Sequence, residues 1–273
     1  MQIEIDRGSD RLAVTVFGEG TPGAPLFVLV PAMGVPARYY RPFADLLTAA
    51  GYAVAAADLR GTGLSGFRAS RRSTYGLADL ADDVAAVLDG LSTLRAGRPT
   101  YLVGHSLGGQ AAVLHLARTL DPSVAGLVLV ACGLPYWRLF GARSPGVWAF
   151  TQSLAGISAI AGYWPGWGFG GRQARGVIRD WAYTARTGRF PASLGADPAA
   201  VTTPVLAISV DDDQYTPPPT TDQLTSRLTS APVTRLHVTN AEAGSTLDHF
   251  RWVRAATPIV GHITGWLPSP VRP

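Results

Sequence analysis

The chain has 273 residues, of which 47% are apolar, so it is long and hydrophobic enough to form one large domain and is unlike a disordered protein. Its formal net charge is +4, and the sequence contains no lysine, which excludes Schiff-base, phosphate-loop and Ser-Lys chemistry. The arginines are scattered along the chain, and this argues against a surface that binds nucleic acid.

The N-terminus and the apolar runs bear on where the protein works. Charged residues interrupt positions 1–6, where a secretory signal would be apolar. No apolar run in the sequence is long enough to cross a bilayer. The single cysteine, Cys132, cannot form an internal disulfide. These features predict a cytoplasmic protein without stable membrane insertion.

Strand-like apolar runs alternate with helical patterns along most of the chain, which is typical of a mainly parallel sheet with helices on both faces. Strands are predicted at residues 2–5, 12–17, 25–31, 52–57, 101–103, 125–131, 205–210 and 233–238. Helices are predicted at residues 39–50, 77–94, 107–120, 220–228 and 250–266. The pattern therefore indicates an α/β protein.

Residues 134–198 interrupt this alternation. The segment is rich in turns and holds five of the seven tryptophans, Trp137, Trp148, Trp164, Trp167 and Trp181. We predict that it is a cap inserted into a core formed by residues 1–133 and 199–273. Trp137, Trp164 and Trp167 are candidates for the wall of a substrate pocket. Alternatively, these large side chains serve only to bury the cap's own small core.

The sequence GHSLG at residues 104–108 matches the G-x-S-x-G pattern of a nucleophilic serine on a sharp turn between a strand and a helix. Gly104 and Gly108 would let the flanking backbone approach closely, and the helix that follows would direct free N–H groups at the site. The pattern predicts that Ser106 is a nucleophile. Ser65 lacks the second glycine and the following helix, so it is predicted to be structural.

With this motif placed, the sequence resembles the α/β-hydrolase superfamily over nearly its whole length. Further matching segments are PAMG at residues 31–34 and DLRGTGLS at residues 58–65. It is similar to bacterial hydrolases of the serine-aminopeptidase-like branch, through YYR at 39–41, YWR at 136–138 and DHFRW at 248–252. The resemblance implies an α/β-hydrolase fold: a mostly parallel eight-stranded sheet, helices on both faces and an inserted helical cap.

The resemblance also implies a triad in the order serine, acid, histidine. Among the five histidines, His249 follows the last predicted strand and is the predicted base. The acid is expected after strand 205–210, where the family's spacing to Pro217 selects Asp213, with Asp212 as the alternative. The backbone N–H groups of Met33 and Leu107 would form the oxyanion hole, although this chain has Pro-Ala where His-Gly is common.

Together these residues predict a serine hydrolase that cleaves a carboxylic ester, or a related acyl bond, of a small molecule through an acyl-enzyme intermediate. A thioesterase or an amidase of the aminopeptidase type would use the same triad. An acyltransferase and a non-catalytic ligand-binding module are the alternatives from other classes. The sequence has no metal-ligand cluster and no dinucleotide loop, so no cofactor, metal or nucleic-acid partner is predicted.

Overall fold

The computed structural model describes residues 1–268, which contain ten strands. The strands are β1 Gln2–Asp6, β2 Arg11–Gly18, β3 Leu26–Val30, β4 Ala53–Ala57, β5 Thr100–His105, β6 Val124–Val130, β7 Tyr163–Trp164, β8 Gln173–Ala174, β9 Val205–Val210 and β10 Val233–Val238. Eight of them form one sheet in the order β1-β2-β4-β3-β5-β6-β9-β10, and β7 and β8 form a separate ribbon. β2 is antiparallel to both of its neighbours, and every other pair in the large sheet is parallel.

Helices cover both faces of this sheet. They are α1 Arg41–Ala49, α2 Leu77–Gly90, α3 Ser92–Arg95, α4 Leu107–Thr119, α5 Ser144–Ala161, α6 Arg175–Thr187, α7 Pro218–Thr225, α8 Asn240–Ala243 and α9 Thr257–Trp266. Side chains of α2 and α4 share one apolar cluster with the sheet, and those of α1 and α9 share the cluster on the opposite face. The central strands β3, β4, β5 and β9 are therefore buried along their whole length, as parallel strands covered on both faces must be. The predicted fold class is confirmed.

Two predicted helices begin later than the sequence pattern indicated. The helix predicted from residue 39 is a 3-10 turn, Ala37–Tyr40, followed by α1, and the helix predicted from residue 250 is a 3-10 turn, Arg251–Arg254, followed by α9. Both α1 and α9 have a proline in their first turn. Proline lacks the N–H that an earlier helical turn would use, so the α-helix starts just before it.

The segment between β6 and β9 contains α5 and α6 together with the ribbon β7–β8, which the sequence reading did not predict. The carboxylate of Asp180 on α6 accepts a hydrogen bond from the Leu77 N–H at the start of α2 (3.1 Å). Arg172 Nε donates to the carbonyl oxygen of Ala69 (2.6 Å). These bonds tie the inserted segment to the core on one side. Within residues 1–268, no helix has the length and hydropathy needed to span a bilayer.

Gly108 provides a test of how tightly α4 is packed against the sheet. A Cβ at this position would overlap the carbonyl oxygens of Val30 and Pro31, which are backbone atoms and cannot rotate away. We expect Gly108→Ala to lower the free energy of unfolding by about 3 kcal/mol or more, measured by urea denaturation. The matched control is Gly156→Ala on the exposed side of α5, where a Cβ meets no neighbour. That variant should gain about 0.5–1 kcal/mol, and equal stability of the two variants would contradict the packing argument.

Candidate active site

Ser106 lies at the sharp turn between β5 and α4. Its φ of 53° and ψ of −121° place it in a region that residues with side chains rarely adopt. A Cβ on Gly104 would overlap the backbone of Gly109, so this crossing of strand and helix needs glycine on both sides. The turn projects the hydroxyl of Ser106 away from the sheet and into a cavity.

The structure brings Ser106, His249 and Asp213 together in one line of hydrogen bonds. The distance from Ser106 Oγ to His249 Nε2 is 3.0 Å. On the other side of the imidazole ring, Nδ1 lies 2.9 Å and 3.0 Å from the two carboxylate oxygens of Asp213. Both His249 and Asp213 are buried. The hydroxyl can donate to Nε2 while Nδ1–H donates to the carboxylate, which is the hydrogen-bond pattern that activates a serine.

The three consecutive aspartates after β9 have different environments. Asp213 faces His249, and its carboxylate also accepts hydrogen bonds from the Thr216 hydroxyl (2.6 Å) and from the N–H groups of Tyr215 and Thr216 (2.9 and 2.8 Å). Asp212 is exposed, has a φ of 55° and bonds the side chain of Asn240 (2.8 Å). The left-handed turn at Asp212 thus directs its side chain away from the imidazole, and Asp213 is the carboxylate in contact with His249.

The surroundings of Asp213 keep its carboxyl ionised. Burial by itself would raise the pKa, but the hydrogen bond and the electrostatic attraction from His249 and the hydrogen bonds from Thr216 outweigh it, so the pKa is lowered. At Cys132 nothing outweighs burial, which raises the pKa of the thiol. The Cys132 Sγ–H donates to the backbone oxygen of Ser106 (3.1 Å), so this cysteine supports the turn and is not a nucleophile.

The loop that carries His249 is held by its neighbour Asp248. One carboxylate oxygen of Asp248 accepts from the N–H groups of Phe250 and Arg251, both at 2.7 Å. His249 lies two residues before the 3-10 turn Arg251–Arg254, which replaces the start of the helix predicted from residue 250. The capping aspartate fixes the backbone from which the imidazole projects.

A buried polar group behind His249 was missed by the sequence analysis. The ring of His105 lies 4.8 Å from that of His249, and burial lowers the pKa of His105 well below its ordinary value, so it stays neutral. His105 Nδ1 is 2.7 Å from the hydroxyl of Tyr40, which also accepts the Ala32 N–H (2.9 Å). This contact connects the serine turn to the loop that precedes Met33. The YYR motif gave the only sequence signal for Tyr40.

Met33 and Leu107, the predicted oxyanion-hole residues, line the same small cavity as Ser106 and His249. Among residues 1–268, neither backbone N–H donates to a protein acceptor. Gly34, with a φ of 72°, forms the turn after Met33 and lies directly against Gly170 of the inserted segment. Both residues thus border the cavity that Ser106 lines, and their N–H groups are not used by the described part of the fold.

Two cavities meet at His249. The inner one has a volume of 140 Å³ and contains Ser106, and the outer one has a volume of 840 Å³ and is lined mainly by aromatic and apolar side chains. Neither is lined by Trp137, Trp164 or Trp167, so the expectation for these three rings needs correction. Trp164 is buried and bonds the Phe169 carbonyl oxygen (2.8 Å), and Trp167 is 69% exposed. Trp181 lines both cavities instead, because α6 turns it towards the serine.

The remaining three histidines pair with carboxylates other than Asp213. His115 lies near Asp121, His237 near Asp211 and His262 near Glu242. Within the described part of the chain, no group of histidine, cysteine and acidic residues could hold a metal ion. His249 is the histidine that reaches the serine.

The lowered pKa of Asp213 leads to a prediction about stability. A carboxyl whose pKa is lower when folded than when unfolded stabilises the fold above the unfolded pKa, about 3.9, and this contribution is lost as the pH falls through the folded pKa. We therefore expect the wild type to exceed Asp213→Asn in free energy of unfolding above about pH 4, and the difference to shrink on further acidification. Urea denaturation of both proteins over this range measures it. A difference that widens at low pH would contradict the assignment.

Comparison with known proteins places this chain in a family. The family model described as serine aminopeptidase, S33, matches residues 22–185, which is more than half of the chain. A relative from Variovorax paradoxus (strain S110) is 41% identical over 103 residues. It is RutD, named provisionally as a carbamate hydrolase. That match covers 38% of this chain and 36% of the relative, so it spans only about a third of the relative's length.

Solved structures share the fold over almost the entire chain. A protein described provisionally as a lipase, from Acinetobacter baumannii AYE, has a TM-score of 0.67 at 16% identity and covers 97% of this chain and 90% of its own. A hydrolase from Pseudomonas aeruginosa PA01 has a TM-score of 0.65 at 18% identity and covers 98% of both chains. The chain belongs to the serine aminopeptidase S33 family of α/β hydrolases.

Proposed function

We propose that this chain is a serine hydrolase that cleaves carboxylic esters through an acyl-enzyme intermediate. The observation that carries the proposal is the continuous line of hydrogen bonds from Ser106 through His249 to Asp213. This line opens on cavities lined by aromatic side chains and by two free backbone N–H groups, which suits a small-molecule acyl substrate.

In the first half-reaction, His249 Nε2 accepts the proton of Ser106 Oγ while this oxygen attacks the acyl carbon. Asp213 holds the tautomer that leaves Nε2 free and stabilises the imidazolium that forms. The imidazolium then donates its proton to the departing alcohol oxygen, which leaves the acyl group on Ser106. In the second half-reaction, His249 takes a proton from water while the water oxygen attacks the acyl carbon. The bond between this carbon and Ser106 Oγ then breaks, the imidazolium returns its proton to Oγ, and the carboxylic acid is released.

The oxyanion formed in each half-reaction would accept hydrogen bonds from the N–H groups of Met33 and Leu107. Backbone donors do not depend on their own side chains, so Pro31-Ala32 in place of the common His-Gly pair is compatible with this role. Each such donor typically contributes about 10²–10³-fold to the rate. The bond between the Ala32 N–H and Tyr40 supports the loop from which Met33 would donate.

Residues 134–198 would form the lid of this site, with residues 1–133 and 199–273 as the core. Phe140, Phe150 and Trp181 of this segment line the outer cavity. Ser106, His249 and Asp213 all belong to the core residues and not to residues 134–198. Such a division lets the core hold the reacting groups and lets the lid supply apolar contacts to the substrate.

Hydrolysis is favoured over acyl transfer by the exposure of the outer cavity. Phe150 and Tyr215 in its wall are 43% and 46% exposed, so water reaches the site, whereas transfer to an alcohol needs a dry pocket. Thioesters and amides could react through the same residues. The six aromatic rings in the outer cavity favour esters with apolar groups. A non-catalytic binding module would have no need of the Ser106–His249–Asp213 alignment.

A second candidate, carbamate hydrolysis, is favoured by Gln110. This residue lines the inner cavity and donates from Nε2 to the Gly133 carbonyl oxygen (2.7 Å), while its buried Oε1 has no hydrogen-bond partner among residues 1–268. An N–H on the acyl side of a substrate, as in a carbamate, would supply a donor for this oxygen. A faster rate on the carbamate than on the acetate of the same alcohol would favour this candidate.

We expect Ser106→Ala to lower kcat on acetate esters by about 10⁴-fold or more and to abolish labelling by a fluorophosphonate, because the nucleophile is removed. Titration of the released acid measures ester turnover, and gel fluorescence measures labelling by the fluorophosphonate. Ser65→Ala is the matched control, since Ser65 Oγ accepts from the Ala13 N–H and donates to the Asp58 carbonyl oxygen, away from His249. Full turnover by folded Ser106→Ala would refute the proposal.

Asp213→Asn tests the acid against its neighbour. The amide would favour the wrong histidine tautomer, so we expect kcat/KM to fall by about 10³–10⁴-fold at neutral pH. For Asp212→Asn, whose side chain contacts Asn240 rather than His249, the expected change is threefold or less, about 0.6 kcal/mol. Steady-state kinetics of the two variants decides the point. If Asp212→Asn were the more damaged variant, the assignment of the acid would be wrong.

A further inference from the structure

The two cavities divide the site into compartments with different chemistry. Pro135, Phe169, Trp181, Tyr215, His249 and Phe250 line both cavities. Ser106, Met33 and Leu107 line the inner cavity but not the outer one, whereas Phe140, Arg143 and Phe150 line only the outer one. His249 is therefore at the junction, with the nucleophile and the oxyanion donors on one side and the aromatic chamber on the other.

The direction of the proposed reaction determines which part of the substrate enters each cavity. The acyl carbon must contact Ser106 Oγ, with its oxygen towards the N–H groups of Met33 and Leu107. The leaving oxygen must receive its proton from His249 Nε2, so the leaving group lies on the histidine side. The acyl chain thus remains in the inner cavity, and the alcohol portion extends past His249 into the outer cavity.

The two volumes set very different limits on these groups. The inner cavity of 140 Å³ has about a sixth of the volume of the outer one and is smaller than the roughly 300 Å³ at which sites for drug-sized ligands begin, so it suits a short acyl group. The outer cavity of 840 Å³ falls in the range of about 300–1,000 Å³ that is typical of sites for drug-sized ligands. The compartments therefore select for a short acyl group and a large leaving group.

The walls of the outer cavity indicate the character of the leaving group. Six aromatic rings lie in it: Phe140 and Phe150 line this cavity alone, and Phe169, Trp181, Tyr215 and Phe250 line the inner cavity as well. The ring of Phe169 is 5.2 Å from Phe150, 5.3 Å from Trp181 and 5.9 Å from Tyr215, and Tyr215 is 5.0 Å from His249. These rings form a continuous apolar surface from α5 to the imidazole, and aromatic groups pack favourably on such a surface.

We infer that the preferred substrates are esters of short acids, such as acetates, with large aromatic or apolar alcohols. This inference rests on the proposed function and adds to it the sizes of the two ester halves. The size preference of each half can be tested, because one small group and one large group can be exchanged between the acyl side and the alcohol side of the ester.

The test compares 2-phenylethyl acetate with methyl 3-phenylpropanoate. These esters are constitutional isomers, so they share molecular formula, phenyl group and unactivated ester, and differ only in which half is large. We expect kcat/KM of the wild type to favour 2-phenylethyl acetate by about tenfold or more, as measured by chromatography of the released alcohols. A preference for methyl 3-phenylpropanoate, or equal rates, with turnover abolished by Ser106→Ala, would overturn the inference and leave the proposed function intact. Failure of both esters and of the fluorophosphonate label would overturn both.

A pair of variants on α5 locates the leaving group. Phe150→Ala removes a ring from the outer cavity. We expect it to lower kcat/KM for 2-phenylethyl acetate by about five- to tenfold. Methyl acetate fits the inner cavity alone, so we expect kcat/KM for this ester to stay at the wild-type value. Trp148→Ala is the matched control, because Trp148 is on the same helix, 45% exposed and outside both cavities. Equal effects of the two variants on 2-phenylethyl acetate would contradict the placement of the alcohol in the outer cavity.

Discussion

The close approach of the α4 N-terminus to the end of β3 is the constraint on which the site depends. Gly108 packs against the carbonyl oxygens of Val30 and Pro31, and no side chain fits between them. This contact forces Ser106 into its unusual backbone conformation and brings the Leu107 N–H beside the loop that carries Met33. The serine hydroxyl and both candidate oxyanion donors are therefore positioned by backbone packing, which is more rigid than any arrangement of flexible side chains.

The second half of the site is assembled over a long separation in sequence. His249 comes from the loop after β10 and Asp213 from the loop after β9, and these strands are neighbours in the sheet. Parallel strands end at the same edge, so the two loops meet there without a dedicated support. The local bonds of Thr216 to Asp213 and of Asp248 to the following turn then set the orientation of each side chain. The alignment of His249 with Asp213 thus combines a global feature of the sheet with two sets of short-range hydrogen bonds.

Much of the fold could be predicted from the sequence because its signals are local. The buried strands appear as continuous apolar runs, and the serine turn appears as two glycines at fixed spacing around Ser106. The spacing before Pro217 also pointed to Asp213, the aspartate that the structure places against His249. The pocket walls could not be predicted, since tryptophan density does not tell whether a ring faces a cavity, a ribbon or solvent. Trp167 is exposed while Phe169, two residues later, lies in both cavities, and this difference arises from tertiary packing of a glycine-rich loop.

The attachment of the inserted segment is asymmetric, and this has a mechanical consequence. Asp180 and Arg172 fasten it to residues around 69–77, whereas the N-terminal end of α5 is joined to the core through the solvent-exposed pair Arg143 and Gln214 (3.1 Å). Exposed polar contacts of this kind break at little energetic cost, and buried ones do not. The Arg143–Gln214 contact at the wall of the outer cavity should therefore break more often in thermal fluctuations than the buried bond from the Leu77 N–H to Asp180.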